Sequence, residues 1–497
     1  MPEATTADAA PARRERWIAA LCVTLLVLAR SAVFVFWEES QFDSDQAVMG
    51  LAAKHLSELR AFPLFFYGSN HILAVEAWLA APVFLVLGVS VTALKLPLLA
   101  VNVAIALLLL RLLERDVGLR PMLAVVPALF FVLPAPGTAA HFLDASGGNV
   151  EPLLYALLVW TTRRRPVLGG VIFAIGFLHR EFTVYEILAL LAIEGGRGIL
   201  FTRHGARRRA VMLAVSAGVW AAVLLLRFIA SPMGPGSAFR GDAARSNVQE
   251  LSTRFCVDLS TVPTALAGMF AQHWPRLFGV QRQPLLDFSI ASTLWQGANF
   301  GGIVLAAMVL MAILGIGRGL ATQRRWHGDY DFCAYLVLVG VLSAAGLVLA
   351  RCGHVEVMRY DLLSVLGVIG VGAWCLRAAP GRGLRGVWIV LACGTVAIGA
   401  TASARLLQEY LTVRHVGAKR LIARQLEVRG VRYATSDYWL AYSLTFLTNE
   451  RVIVASEDFI RIDAYQRMVD QHRDEAVRVS RSPCPGGEPA AGVYLCR

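Results

Sequence analysis

Long apolar runs alternate with short polar clusters over most of the chain. The runs lie near Ile18–Trp37, Val91–Leu113, Pro121–Ala139, Val150–Thr162, Val167–Leu178, Phe182–Ile193, Ala210–Ala230, Ala298–Ile316, Phe332–Ala350, Leu362–Leu376 and Gly386–Ser403. A helical bilayer crossing takes about 20 apolar residues, and the pattern predicts about eleven such helices. Val167–Leu178 and Phe182–Ile193 are short, which predicts helices broken or buried within protein. Two further stretches are amphipathic. In Ser44–Leu59 the positions Ala47, Val48, Leu51, Ala52, Leu56 and Leu59 share one helical face, opposite Gln46, Lys54, Ser57 and Glu58. Such a helix lies along the membrane surface. Leu73–Gly88 is a second segment of this kind, separated from the first by Pro63 and the turn Gly68-Ser69-Asn70.

The periodicity changes after Ser403. Arg405–Arg429 reads as a charged amphipathic helix, Val431–Thr435 and Val452–Ala455 as short strands, and Tyr438–Thr448 and Ile460–Val469 as helices. Strands alternating with helices predict a small α/β domain. The expected fold is therefore a polytopic α-helical membrane protein with a small C-terminal α/β domain. Residues 1–17 form a tail, 18–403 a membrane domain whose first loop spans 38–90, and 404–497 the α/β domain.

Composition agrees with a membrane protein. The chain is 57% hydrophobic and only 16% charged, where soluble proteins carry about 25% charged residues. The formal net charge of +12 does not imply a nucleic-acid partner, because the arginines sit in short clusters between apolar runs. Arg13/Arg14/Arg16, Arg111/Arg115/Arg120, Arg163-Arg164-Arg165, Arg197 to Arg209, Arg318 to Arg325 and Arg377 to Arg385 all fall on one side. Positive loops face the cytoplasm. The expected topology is a multi-pass protein of a bacterial inner membrane, N-terminus cytoplasmic and C-terminal domain periplasmic or extracellular. The first run ends in Trp37-Glu38-Glu39 without a small-residue cleavage site, so it reads as a retained signal anchor. Of eight cysteines, Cys256, Cys352, Cys484 and Cys496 fall on the exterior side. Cys484 and Cys496 flank the turn Pro485-Gly486-Gly487, which predicts a hairpin closed by a disulfide. No Cys/His spacing suggests structural zinc, and no cofactor is expected.

Candidate chemistry begins at Asp43 and Asp45, at the start of the first amphipathic helix. Asp43, three residues before Gln46, fits an N-cap. Asp45 then falls in the first turn, where the helix dipole favours an ionised carboxylate able to accept a proton. The surrounding string Asp45-Gln46-Ala47, followed by Gly50-Leu51-Ala52-Ala53-Lys54-His55-Leu56, resembles the first exterior loop of GT-C glycosyltransferases. It is most similar to the bacterial protein-mannosyltransferase and aminoarabinose-transferase group. Tyr67-Gly68-Ser69, Glu76 to Pro82, Leu87-Gly88-Val89-Ser90 and Arg359-Tyr360 resemble the motifs that follow in that group. Gln46 departs from the group's Glu, Asp361 from its Leu, and the Pro after Arg-Tyr is missing.

The resemblance implies a GT-C fold and a metal-independent, inverting transfer of sugar. The donor would be a polyprenyl-phosphate-linked sugar and the acceptor a lipid, glycan or protein. Asp45 would be the base. Asp144, in the next exterior loop, would help shape the site, or else caps or decorates that loop; Glu151 is a substitute for it. His179-Arg180-Glu181 sits at an exterior turn, where ionisable groups are expensive. Arg180 either binds donor phosphate with His179, or pairs locally with Glu181. Arg359 is the second phosphate candidate, and Glu76, His71 and Glu181 are candidates on the acceptor side. A transporter or lipid flippase is the alternative class. It calls for ionisable residues near mid-span, whereas most of these cluster at the exterior end.

Overall fold

The computed structural model describes residues 6–37, 42–69, 72–230, 257–279, 330–350, 358–378, 382–412 and 417–496. The predicted span Ala298–Ile316, together with His71, Cys256 and Cys352, lies outside them. The apolar runs fold as helices: α1 (Thr6–Ala32), α2 (Ser44–Ser57), α3 (Val75–Leu87), α4 (Val91–Val117), α5 (Pro121–Val132), α6 (Pro136–His141), α7 (Glu151–Thr162), α8 (Pro166–His179), α9 (Thr183–Gly196) and α10 (Arg203–Ala230). They continue with α11 (Val262–Gly268), α12 (Asp331–Ala350), α13 (Ser364–Ala378) and α14 (Arg382–Thr412). Among the described residues, five helices are long and apolar enough to cross a membrane, within Arg13–Phe36, Val91–Val117, Arg203–Leu226, Asp331–Leu349 and Arg385–Thr412. The chain is a multi-pass membrane protein, and shorter apolar helices such as α5, α8 and α13 pack among the long ones.

Several predicted boundaries move: α1 already begins at Thr6, within the expected tail 1–17, and α10 at Arg203. The run Pro121–Ala139 is not one helix: Leu133 leaves the helical region at φ −129° and ψ 61°, and α6 restarts at Pro136. Pro134 and Pro136 supply no N–H and disfavour helix in the residue before each. The last run continues past Ser403 to Thr412, so the expected boundary at 403/404 falls inside α14. The charged helix expected over Arg405–Arg429 is thus the end of α14 plus α15 (Ala418–Val428).

Among the described residues the basic clusters meet at one end of the bundle; the cluster Arg318 to Arg325 lies outside them. Arg16 pairs with Glu114 at 3.0 Å, Trp160 and Arg115 donate to Asp116 at 2.6 and 2.7 Å, and Arg197 pairs with Asp331 at 2.7 Å. α1 and α4 run antiparallel, since Thr92 at the start of α4 donates to Val35 O, past the end of α1, at 2.9 Å.

The tail holds β1 (Tyr433–Ser436), α16 (Tyr438–Leu447), β2 (Ile453–Ser456), α17 (Asp463–Gln471), β3 (Val477–Ser480), β4 (Glu488–Ala490) and β5 (Val493–Cys496). The sheet order is β2-β1-β3-β5-β4; β1 is parallel to β2 and β3, and β5 is antiparallel to β3 and β4. Cys484 and Cys496 form the expected disulfide, with Cα atoms 6.1 Å apart.

This sheet unit is fastened onto α2. Phe446 of α16 packs against Phe42 and Phe84, at ring-centroid distances of 5.2 and 6.4 Å. Gly50 of α2 makes room for it, because a Cβ there would lie 2.5 Å from Phe446 Cε2. At the other end of α2, the Glu450 carboxylate takes Lys54 and Arg60, accepts Tyr465 Oη at 2.7 Å and lies 3.1 Å from His55 Nε2. Asn449 and Glu450 both take positive φ, 54° and 63°, to present that carboxylate.

Gly50→Ala tests the joint. In an open helix the change stabilises by about 1 kcal/mol. Here overpacking against Phe446 costs about 1–3 kcal/mol, so the melting temperature should fall. Adding Phe446→Leu should restore part of it. A Gly50→Ala protein as stable as wild type would show that the two helices are not in close contact.

Candidate active site

Asp45 enters the site because α2 begins there. Asp43, in extended conformation, caps the helix by accepting Gln46 N–H at 3.0 Å. Its cap leaves Asp45 in the first turn, 8% exposed, at the positive end of the helix. One Asp45 oxygen accepts the Tyr438 hydroxyl from α16. The other accepts Arg359 Nη1 at 3.3 Å, and Arg461 Nη2 lies 3.9 Å from the carboxylate. Arg461 is oriented by its surroundings: its guanidinium lies 4.5 Å from the Phe459 ring and 5.0 Å from Phe66, and Nη1 donates to Gly68 O at 3.2 Å.

Beside Asp45 is a concentration of positive charge. Arg359 and Arg180 both lie over Tyr360, at 5.2 and 5.9 Å from the ring centre. Arg180 is 3% exposed and its Nε has no hydrogen-bond partner among the described residues; Arg359 Nε has none either. Each guanidinium feels the other's charge. Asp144 accepts His141 Nδ1 at 2.9 Å, and its charge reaches Asp43. The structure therefore brings Asp43, Asp45, Asp144, Arg180 and Arg359 into one neighbourhood. Glu181 is half-buried next to Arg180 and acts on it electrostatically.

Two expected substrate contacts are turned inward instead. Glu76 is 1% exposed; one oxygen accepts Gly147 and Gly148 N–H at 2.8 and 2.7 Å, and the other meets His179 Nε2 at 3.0 Å. His179 also engages Tyr155 Oη through Nδ1 at 3.0 Å. With both nitrogens occupied and no exposure, His179 is a strut between α8, α3 and the 147–148 turn, and Glu76 does not face an acceptor. Gly147 and Gly148, at φ 88° and 85°, give the turn its left-handed backbone. Burial would raise the Glu76 carboxyl, but His179 and the N–H donors outweigh it and hold it below its usual range. Glu151 does not substitute for Asp144. It is buried beside this pair, and ligand atoms of Glu76, Glu151 and His179 lie within 4.8 Å of one another, a donor set able to hold a cation. His71 lies outside the described residues.

Arg461 was not legible as a site residue, since nothing around it in the sequence marks it. Tyr438 stands in the aromatic string Tyr438-Trp439-Leu440-Ala441-Tyr442, whose residue types fit either a sugar-facing surface or core. The docking of α16 on α2 brings Tyr438 to Asp45, and Arg461, between β2 and α17, follows by packing against α16, with its N–H donating to Tyr442 Oη at 2.6 Å.

No family model matches the sequence. No curated protein matches it either. Among solved structures, the chain is similar to the oligosaccharyltransferase of Archaeoglobus fulgidus in complex with Zn and sulfate. The TM-score is 0.51 at 11% identity, covering 93% of this chain and 68% of that one. It is also similar to ArnT of Cupriavidus metallidurans, in the apo state (TM-score 0.43, 13% identity, 96% and 97% covered) and bound to undecaprenyl phosphate (0.41, 13%, 95% and 97%). The match to the oligosaccharyltransferase shows a shared fold.

Asp43 yields a pH test. Desolvation, then the charges of Asp45 and Asp144, push its carboxyl up to about 6. The folded protein therefore keeps a proton that the unfolded chain releases near pH 4, and this group's contribution to stability falls as pH rises from about 4 to about 6. Asp43→Asn keeps the cap and removes that titration. The melting temperature of the variant relative to wild type should rise across this window. A difference that is flat with pH would show that Asp43 is not desolvated beside the other two aspartates.

Proposed function

We propose that this chain is a membrane glycosyltransferase moving a sugar from a polyprenyl-phosphate-linked donor to an acceptor on a lipid, glycan or protein. The observation that carries the reading is one carboxylate, Asp45, paired with Arg359, with the buried Arg180 lying over the same Tyr360 ring as Arg359. Buried charge is costly unless compensated. Asp45 offsets only part of this cluster, and a phosphate is the natural complement of two arginines, which bind it through planar, bidentate forks. A shared fold with an oligosaccharyltransferase supports transfer to an acceptor over transport.

The geometry suggests the following chemistry. The acceptor hydroxyl or amine displaces Tyr438 from Asp45 and gives its proton to that carboxylate. The freed electron pair attacks the anomeric carbon from the face opposite the phosphate. The bond between that carbon and the phosphate oxygen breaks, and its electrons leave with the lipid phosphate, which Arg180 and Arg359 stabilise. The sugar is joined with inversion, and Asp45 returns its proton to water. No step calls on a metal. The site faces the exterior leaflet, with the arginine-rich end of the bundle in the cytoplasm, so a lipid donor enters sideways from the membrane.

Asp45→Asn keeps size and removes the base, and should lower turnover about 10²- to 10⁴-fold. Asp43→Asn should be mild. Both would be assayed in membranes at matched protein abundance, with a panel of polyprenyl-phosphate sugars and detection of the glycosylated product. Near-normal turnover of Asp45→Asn would remove Asp45 as base.

Arg359→Lys and Arg180→Lys keep charge but lose the fork. Each should weaken use of the donor more than use of the acceptor. An unchanged donor dependence in both would take the phosphate away from this cluster.

A further inference from the structure

At the arginine-rich end of the bundle, away from Asp45, α1 and α4 enclose a groove of about 580 Å³. Its lining is ordered along the helices. On α1, Arg13, Arg16, Trp17 and Ala20 follow helical spacing down one face. On α4, Leu107, Leu110, Arg111, Glu114 and Arg115 do the same. Because the two helices are antiparallel, Arg13 and Arg16 stand with Arg111 and Arg115 at the mouth, while Ala20 stands with Leu107 and Leu110 further in. The groove is thus cationic at the end of the bundle and apolar toward its middle.

The charges at the mouth are not balanced. Four guanidiniums face one carboxylate, Glu114, which Arg16 already takes at 3.0 Å. Arg115 is turned to Asp116. Arg13 and Arg111 are exposed and have no hydrogen-bond or ion-pair partner among the described residues. Trp17 is 68% exposed and Leu107 37% exposed, so the apolar wall is open sideways, toward where lipid tails would lie.

We propose that this groove is a binding site for an anionic glycerophospholipid of the surrounding leaflet. Its phosphate sits between Arg13 and Arg111, and one acyl chain runs inward along Trp17, Ala20 and Leu107. The order of charge and apolar surface selects an amphiphile over a free anion. The unpaired guanidiniums select an acidic headgroup over a zwitterionic one, as basic pockets between membrane helices do. The site is separate from the glycosyltransferase reading and stands whether or not that reading does.

The test uses the full chain, purified in detergent and stripped of lipid. Thermal unfolding would be followed with added phosphatidylglycerol, phosphatidylcholine, inorganic phosphate and a polyprenyl phosphate. Phosphatidylglycerol should raise the melting temperature by a few degrees at saturation, because ligand bound only by the folded state stabilises it. Phosphatidylcholine and inorganic phosphate should not. A polyprenyl phosphate should act equally on wild type and on groove variants.

Arg13→Ala with Arg111→Ala should lose the phosphatidylglycerol shift, and the apparent lipid affinity should fall at least about tenfold. Both arginines are exposed and unpaired, so the double variant should melt near wild type in detergent alone. Should it fail to fold, the double Arg→Lys variant carries the test and must retain a salt-sensitive shift. An undiminished shift in the alanine variant, an equal shift with phosphatidylcholine, or no shift in wild type would each overturn the proposal.

Discussion

Asp45 sits in the first turn of α2, 8% exposed, and a carboxylate so placed must be paired or give up its charge. Its partners come from everywhere except its own neighbourhood in the chain. Arg359 arrives just ahead of α13, and Tyr438 and Arg461 arrive from the sheet unit. Satisfying that one carboxylate therefore requires the sheet unit to lie against α2. The close approach of Phe446 to Gly50 and the knot around Glu450 hold it there at both ends of the helix. The joint is in this sense part of the site, although it lies away from any reacting atom.

The buried polar groups divide by how completely they are satisfied. Glu76 and His179 use each other, two backbone N–H groups and a tyrosine, and such a closed set rigidifies a core. Arg180 Nε and Arg359 Nε have no partner among the described residues.

Much of the membrane body was legible because its signals are local. Apolar run length marked the helices, and Asp43 ahead of Gln46 marked the start of α2. Cysteines on either side of Pro485-Gly486-Gly487 marked the hairpin. Errors came where a local signal was read without its context. Pro134 and Pro136 broke a run that hydropathy alone joins. His179 was read from its place at an exterior turn and Glu76 from the resemblance, yet they are buried against one another from 103 residues apart. Strands β3 to β5 are short and mixed in polarity, so alternation over three or four residues could not mark them. Tyr438 and Arg461 depend on a packing of two distant helices that no window of sequence contains.

The distance along the chain from Asp45 to its partners, 314 residues to Arg359 and 393 to Tyr438, has a consequence for biogenesis. A polypeptide is made from its N-terminus, and its parts become available in that order. Asp45 emerges among the first tenth of the chain, long before the groups that orient it. Until the tail has been synthesised, moved to the same face as α2 and folded, the carboxylate has neither Tyr438 nor Arg461. A partly inserted chain thus carries the carboxylate without the groups that pair with it, and the full set arrives only with the last piece to be delivered.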